Sequence, residues 1–402
     1  MRLLFVFDIG FDRMGPSVHL LQDVLRAALN KGHEVNVILK NTGGPNADMP
    51  NDLSFNPNFH YTIIKDNFSK GGFVSRYFRE IFYVKKCGRI IDKMGDFDTV
   101  FLQSNVVAYF YMKYLKKVGC RIVFNVQDIF PYNIKLSGQM PLACITFPIL
   151  RKLQNMAYEQ ADAIITISDD MKQMLVEDGV ESKKIEVIYN WSYADRIIKL
   201  DNISRDNIFD LHLDQSKFNV VYAGNIGKMQ NVELIAETAR RMSENNDIHF
   251  YIIGDGVKKR HVEEMTKGLE NVTMFPMQPS KYAESIYAQA DVNIIPLAPG
   301  GIKTALPSKT ATVMRTCKKI VFCIDENSLF SKKCVDAEGV YFVDCHTPDS
   351  LVIKLYEIMG QKNEIHCRED ISFISRKNAE RYVEIMLNPL CAGELLNESF
   401  TD

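Results

Sequence analysis

Residues 291–321, DVNIIPLAPGGIKTALPSKTATVMRTCKKIV, decide how the chain is read. The apolar run Val292–Leu297 is continuous, as in a strand buried on both faces of a parallel sheet. Pro299, Gly300 and Gly301 make a loop with few steric restrictions, and Leu306-Pro307-Ser308-Lys309 reads as the entry to a helix ending near Thr316. A residue before proline is pushed into extended backbone, and Ser308 is a good N-cap for the turn beyond it. Strand, glycine loop and capped helix together suit an anion, because free N–H groups and the helix dipole converge there. Lys309 falls in the first helical turn, where a cation opposes the dipole at a cost of roughly a few tenths of a kcal/mol. A bound anion reverses that penalty, with Lys303 upstream as a second charge; the alternative is that both lysines are solvated.

The residues before this stretch follow the same grammar. Asn219–Ala223 reads as a strand, Gly224-Asn225-Ile226-Gly227-Lys228 as a turn and Asn231–Ser243 as a helix. His249–Ile253 is a strand ending in Gly254-Asp255-Gly256, and Val272–Phe275 runs into Pro276-Met277-Gln278-Pro279. The first half of the chain repeats the pattern. Leu3–Phe7 is a buried strand, followed by a polar loop reaching Gly15. Pro16 then opens an amphipathic helix to Asn30, with Val18, Leu21, Val24, Leu25, Ala28 and Leu29 on one side. Glu34–Lys40 closes a βαβ unit whose glycine turn is suited to a ligand at Gly15. It lacks GxGxxG, so no dinucleotide cofactor is expected.

Strands at Thr99–Leu102 and Arg121–Val126 flank a helix near Val106–Lys117. The second delivers Gln127-Asp128-Ile129-Phe130-Pro131 at its carboxyl end, where open α/β sheets place ligands. Ala163–Ser168 and Ile185–Tyr189 are further strands, Ser192–Asp214 a linker, and Ile371–Met386 the final helix. These spans predict two α/β halves facing each other across a cleft.

At 402 residues the chain suits two such domains. With 48 basic and 50 acidic residues the formal charge is −2, which excludes nucleic acid as a bulk partner. The nine cysteines are odd in number and form no CxxC, so they read as small core residues in a reducing compartment. No apolar run approaches the roughly 18 residues of a spanning helix, and MRLLFVFDIG lacks a cleavage site; a cytoplasmic protein is expected. No DxD pattern suggests a metal, since Asp169-Asp170 reads as a helix cap. The segment Lys65–Lys93 carries eight Lys/Arg, three acids and interleaved aromatics. It is either a helix with a solvated basic face or a peripheral contact with an anionic inner-membrane surface. PLACITFPIL, at 141–150, fits core packing or a lipid groove.

GPSVHLLQDVLRAALNKGHEVNV, NVQDIFP, ADAIITIS, VYAGNIGKMQNVELI, IIGDG, QADVNIIPL and LPSKTATVM occur in that order. Together they resemble the landmarks of bacterial family 4 glycosyltransferases of the GT-B fold, in the branch for capsule, O-antigen or colanic-type polysaccharides. The resemblance covers about residues 1–321. It implies two Rossmann-like domains, with acceptor binding in 1–195 and a back-crossing segment at about 372–402, and nucleotide-sugar binding in 196–371. It also implies anomeric retention and, for the acceptor, a glycan or lipid-linked intermediate. Under it, Gly15 matches a loop approaching the donor and Asp128 the residue beside the reacting sugar. Gly224 faces the pyrophosphate, Gly254, Asp255 and Gly256 line the nucleotide pocket, and Met277 and Gln278 read the base.

Four positions depart from the family pattern. Its usual Arg and Lys fall at Asn225 and Gln230, and its two glutamates at Thr304 and Thr312. Lys228, Lys303 and Lys309 are the available replacements for the missing positive charge. The expected activity is transfer of a sugar from a nucleoside diphosphate, UDP favoured, without metal or other cofactor. The alternatives are a same-fold 2-epimerase and a catalytically degraded, nucleotide-binding or scaffold subunit.

Overall fold

The apolar runs become parallel strands. The computed structural model describes residues 1–11, 18–41, 49–65, 73–103, 106–192, 213–279, 282–361 and 371–388. The chain divides into two units: Met1–Lys135, Gln139–Asn190 and Arg376–Asp402 form one, Leu136–Gly138 and Trp191–Ser375 the other.

The first unit is built on β1 (Arg2–Phe7), β2 (Glu34–Asn41), β3 (Phe59–Lys65), β4 (Thr99–Gln103), β5 (Arg121–Val126), β6 (Ala163–Thr166) and β7 (Ile185–Val187). They pair in the order β3-β2-β1-β4-β5-β6-β7. The central strand places Phe5 opposite Val37 on one side and Phe101 on the other. Leu3, Leu4, Phe5, Val6 and Phe7 have no exposed surface, and each such burial contributes about 1.5–3 kcal/mol. The helix Val18–Asn30 buries all six residues of its expected apolar side, and Leu20 and Ala27 as well. Buried Asp23 on that helix receives Arg376, with Nε at 2.9 Å and a terminal nitrogen at 2.7 Å.

The second unit is built on β8 (Phe218–Asn225), β9 (Ile248–Asp255), β10 (Val272–Phe275), β11 (Val292–Pro296), β12 (Ile320–Ile324) and β13 (Val340–Asp344). Their order is β10-β9-β8-β11-β12-β13, again parallel. Ile248, Phe250, Ile252, Val292, Ile294, Val321 and Cys323 fill its core. Both sheets are of the Rossmann-like kind.

Several local expectations are corrected. The final helix runs Asn378–Leu387 rather than from Ile371, and it packs on the first unit, crossing back as the resemblance implied. There Thr99 Oγ1 donates to Met386 O at 2.9 Å and Asn378 Nδ2 to Tyr189 O at 2.8 Å. Ser168, not Asp169-Asp170, caps the helix Asp169–Glu177, accepting from Met171 N. Ser308 caps nothing. The helix spans Thr310–Thr316, Lys309 occupies its N-cap position, and Pro307 O already accepts the Thr310 N–H at 2.9 Å. PLACITFPIL is not all core: the helix Ala143–Gln160 buries Leu150 but leaves Ile145 and Ile149 exposed. Among the described cysteines all are buried except Cys144.

Candidate active site at the strand ends

In the second unit the polar loops gather at the carboxyl ends of the strands, as a parallel sheet demands. β8 and β9 run side by side to Gly224 and Gly254, which are register partners. A Cβ on Gly254 would lie 1.9 Å from Gly224 O, so only glycine lets the two chains approach there. Gly256 has φ +153°, and a Cβ on it would meet Ile226 O at 2.4 Å. Asp255 closes the turn, its Oδ1 accepting from Gly256 N at 2.8 Å while its carbonyl accepts from Ile226 N at 2.7 Å. The steric demand alone accounts for Gly254 and Gly256; a wall of bare backbone is its by-product.

Lys309 reaches this wall from the loop after β11. Its Nζ lies 3.8 Å from the Tyr222 ring centroid and donates to Ala223 O at 3.1 Å. It also lies 3.3 Å from where a Gly224 Cβ would stand, so glycine at 224 leaves room for the ammonium. Burial lowers the Lys309 pKa to about 7. The penalty expected from a helix dipole is thus replaced by a larger one from desolvation, because the helix is only seven residues long and begins after Lys309. An anion at the wall would restore the proton and offset that penalty.

The remaining expected residues divide. Asn225 Nδ2 donates to Gln230 Oε1 at 3.1 Å, a neutral pair across the turn where the family pattern has two cations. Lys228 and Lys303 are exposed. Ala298 N donates to Met229 O at 2.9 Å, which ties the β8 loop to the β11 loop carrying Lys303 and Lys309. Thr304 is buried and its hydroxyl is used within that loop, donating to Gly301 O at 3.1 Å. Ser308 is exposed, and Thr312 is half-buried on the helix. Met277 and Gln278 follow edge strand β10, Met277 half-exposed and Gln278 folded onto Pro276 O at 3.1 Å. Gly15 lies outside the described residues.

In the first unit Asp128 follows β5, as expected. Burial alone raises its pKa to about 6, and among the described residues its carboxyl has no hydrogen-bond or ion-pair partner. Its neighbours are engaged: Gln127 donates to Asn125 Oδ1 at 3.0 Å and accepts from Asn190 Nδ2 at 2.9 Å. Tyr222 was missed by sequence reasoning. The signal was a lone polar-tipped aromatic two residues before Gly224, and its ring is now the floor beneath Lys309.

Two parallel Rossmann-like sheets with glycine turns at their strand ends define a doubly wound α/β protein. The chain belongs to Glycosyltransferase Family 4, whose model matches residues 17–222, and residues 217–358 match Glycosyl transferases group 1. It is 24% identical over 296 residues to probable glycosyltransferase WbjE of Pseudomonas aeruginosa, covering 70% of each chain. It is 25% identical over 247 residues to putative colanic acid biosynthesis glycosyl transferase WcaI of Escherichia coli K12, covering 60% of each. Among solved structures, a glycosyltransferase from Rickettsia africae aligns with TM-score 0.65 at 16% identity, over 98% of this chain and 99% of that one. Anabaena HepE in complex with UDP and glucose aligns with TM-score 0.59 at 13% identity, over 98% and 97%. A UDP-GlcNAc 2-epimerase from Methanocaldococcus jannaschii aligns with TM-score 0.56 at 11% identity, over 96% and 99%. These structures share the GT-B fold seen here.

Proposed function

We propose that the chain transfers a sugar from a nucleoside diphosphate, UDP favoured, to a hydroxyl of a lipid-linked intermediate in surface polysaccharide synthesis, with retention and without metal. The observation that carries this reading is Lys309: a half-buried lysine whose ammonium is held over the Tyr222 ring and against Ala223 O beside Gly224. Such a group is worth most where negative charge develops, and one preorganised donor contributes roughly 3–4 kcal/mol to a transition state. On this reading residues 196–371 bind the donor and 1–195 with 372–402 bind the acceptor. Lys309 carries the leaving diphosphate, Lys303 and Lys228 assist, and the backbone at Gly224, Gly254 and Gly256 admits the phosphates. Asp128, poised near neutrality, holds the sugar or steers the acceptor, and the departing phosphate takes the acceptor proton. The polysaccharide role rests on the colanic acid biosynthesis for which WcaI is named, and uridine on the UDP complex of HepE.

The acceptor's lipid is consistent with the surface of the first unit. Helix Phe73–Met94 exposes Phe78 and Phe82 beside Lys85 and Lys86, and Lys85 Nζ sits 5.4 Å from the Phe82 ring centroid. Tyr77 from this helix packs into the same cluster as Ala143 and Phe147 of helix Ala143–Gln160, whose Ile145 and Ile149 are exposed. Apolar tips with cations beside them suit an anionic membrane face. Among the described residues no helix is long and apolar enough to cross a membrane.

A thermal-shift panel of UDP, GDP, CDP and ADP tests the donor reading, since a ligand at 100 times its Kd stabilises by about 2.7 kcal/mol. A selective response to UDP supports it, and no response to any of the four removes it. The neutral Asn225–Gln230 pair favours the degraded-subunit alternative. Slow donor hydrolysis without acceptor decides against that alternative; binding without any turnover decides for it.

A further inference from the structure

Beyond β12 and β13, on the side of the second sheet away from β9, three side chains of metal-ligating type converge. Asp325 follows β12, and Cys345 and His346 follow β13. One donor atom from each lies within 4.8 Å of the others, and Cys345 Sγ is already 3.8 Å from His346 Nδ1. Donors sharing a zinc ion through bonds of about 2.0–2.3 Å stand only slightly closer, so a small closure completes the set. The surroundings hold it in place. Asp344 Oδ1 lies 2.6 Å from His346 Nδ1, so the ion either binds through Nε2 with this contact kept or takes its place at Nδ1. Asn231 Nδ2 donates to Cys345 O at 3.0 Å, and both Asp325 oxygens accept from Gly300 N, at 3.0 and 3.1 Å. Cys345 is buried while His346 is exposed, so the set has a protected floor and an open mouth.

We propose that Asp325, Cys345 and His346 form a three-ligand site for a divalent cation of the zinc class, with a fourth position open to solvent. The site does not depend on the transferase reading, and its ion takes no part in the sugar transfer. Carboxylate, thiolate and imidazole are the donor types such an ion accepts, and a sulfur donor selects against magnesium and calcium. Binding is an acid–base exchange without oxidation: the Cys345 thiol gives its proton to solvent and the thiolate forms the metal–sulfur bond. An ordinary thiol is protonated at neutral pH and binds as its thiolate, so about one proton is released from it per ion. Protons compete with the ion for the thiolate and the imidazole, so affinity falls as the pH drops. Asp325 links the ion to the backbone of Gly300, in the loop that leads to Lys309.

Cobalt(II) is the probe, added to the full chain without an affinity tag. The expected result is one equivalent bound, with a thiolate-to-cobalt charge-transfer band in the near ultraviolet and proton release near one per ion. Cys345→Ser should abolish the band, whereas Cys144→Ser, at the exposed cysteine, should leave it intact. His346→Ala alters an exposed side chain, keeps the fold, and should weaken cobalt binding at least tenfold. The proposal fails if wild type shows no band, if Cys345→Ser keeps it, or if His346→Ala binds as tightly as wild type. The His346 arm remains decisive should Cys345→Ser not fold.

Discussion

The carboxyl ends of the two sheets each carry one ionisable side chain that burial has moved toward neutrality, and the two are treated oppositely. Lys309 is pushed down to about 7 yet is given company: an aromatic face, a carbonyl and the space left by Gly224. Asp128 is pushed up to about 6 and, among the described residues, is given none. A donor with two partners is fixed in place before a ligand arrives, whereas a carboxyl without any is free to take its partner from the ligand. On the proposed reading, Lys309 supplies static charge stabilisation and Asp128 a contact formed with substrate.

Removing Lys309 is the severest test of this contrast. Lys309→Met should lower turnover on the order of 100-fold or more, as when one oxyanion donor is lost. Nucleoside diphosphate binding should weaken at least tenfold, with the bare nucleoside barely affected. Unchanged diphosphate affinity, measured by calorimetry, would place the phosphate site elsewhere.

Next in size is the proposed membrane-facing surface of the first unit. Lys85→Gln with Lys86→Gln should weaken binding to anionic vesicles about 30-fold, at roughly 1 kcal/mol per basic residue, and added salt should weaken wild type likewise. Equal sedimentation of both proteins with vesicles would leave the exposed Phe78 and Phe82 without a lipid role. Asp128→Asn keeps the shape and should cost turnover about tenfold; full activity in the variant would make the carboxylate dispensable.

The smallest effects are in stability, where the two sites should show opposite signs. Asp128 has its folded pKa raised from 3.8 to about 6, so its stability contribution is full at low pH and is lost as pH rises through about 6. Asp128→Asn should therefore melt higher than wild type above pH 6, by roughly a few degrees, with the gap closing below pH 4. Lys309 is lowered from 10.5 to about 7, so its contribution is full above 10.5 and is lost as pH falls toward 7. Lys309→Met should gain on wild type as the pH falls, and the gap should close in alkali. Melting curves across pH that show both variants moving the same way would break the comparison.

Much of this was legible in the chain. Val292–Leu297 and Leu3–Phe7 are read as buried strands because parallel sheets covered on both faces need unbroken apolar runs, and the structure matches them within a residue or so. The glycine turns at 224 and 254–256 are equally visible, because no other residue type tolerates that backbone approach. Ser308 is not the cap it reads as, because a proline carbonyl three residues before Thr310 takes the same N–H, which local propensity does not reveal. The place of Lys309 over Tyr222 joins residues 87 positions apart in a register set by β8 and β11, which no local pattern encodes. Asp325, Cys345 and His346 were silent for a similar reason: two strands must lie side by side before their ends meet.

The helix Asn378–Leu387 and the Asp23–Arg376 contact bear on how the protein is made. Segments of the first unit lie on both sides of the second in the chain, so the first is finished only after the second has been made. Its sheet lacks the Tyr382 ring against Phe101, and the Arg121 bond to Ile385 O, until the whole second unit has been translated. A nascent chain therefore exposes an unfinished hydrophobic face while the second unit, continuous from Trp191 to Ser375 apart from Leu136–Gly138, is already complete. Translation that stops short of residue 376 yields a folded latter half tethered to an unfinished first one.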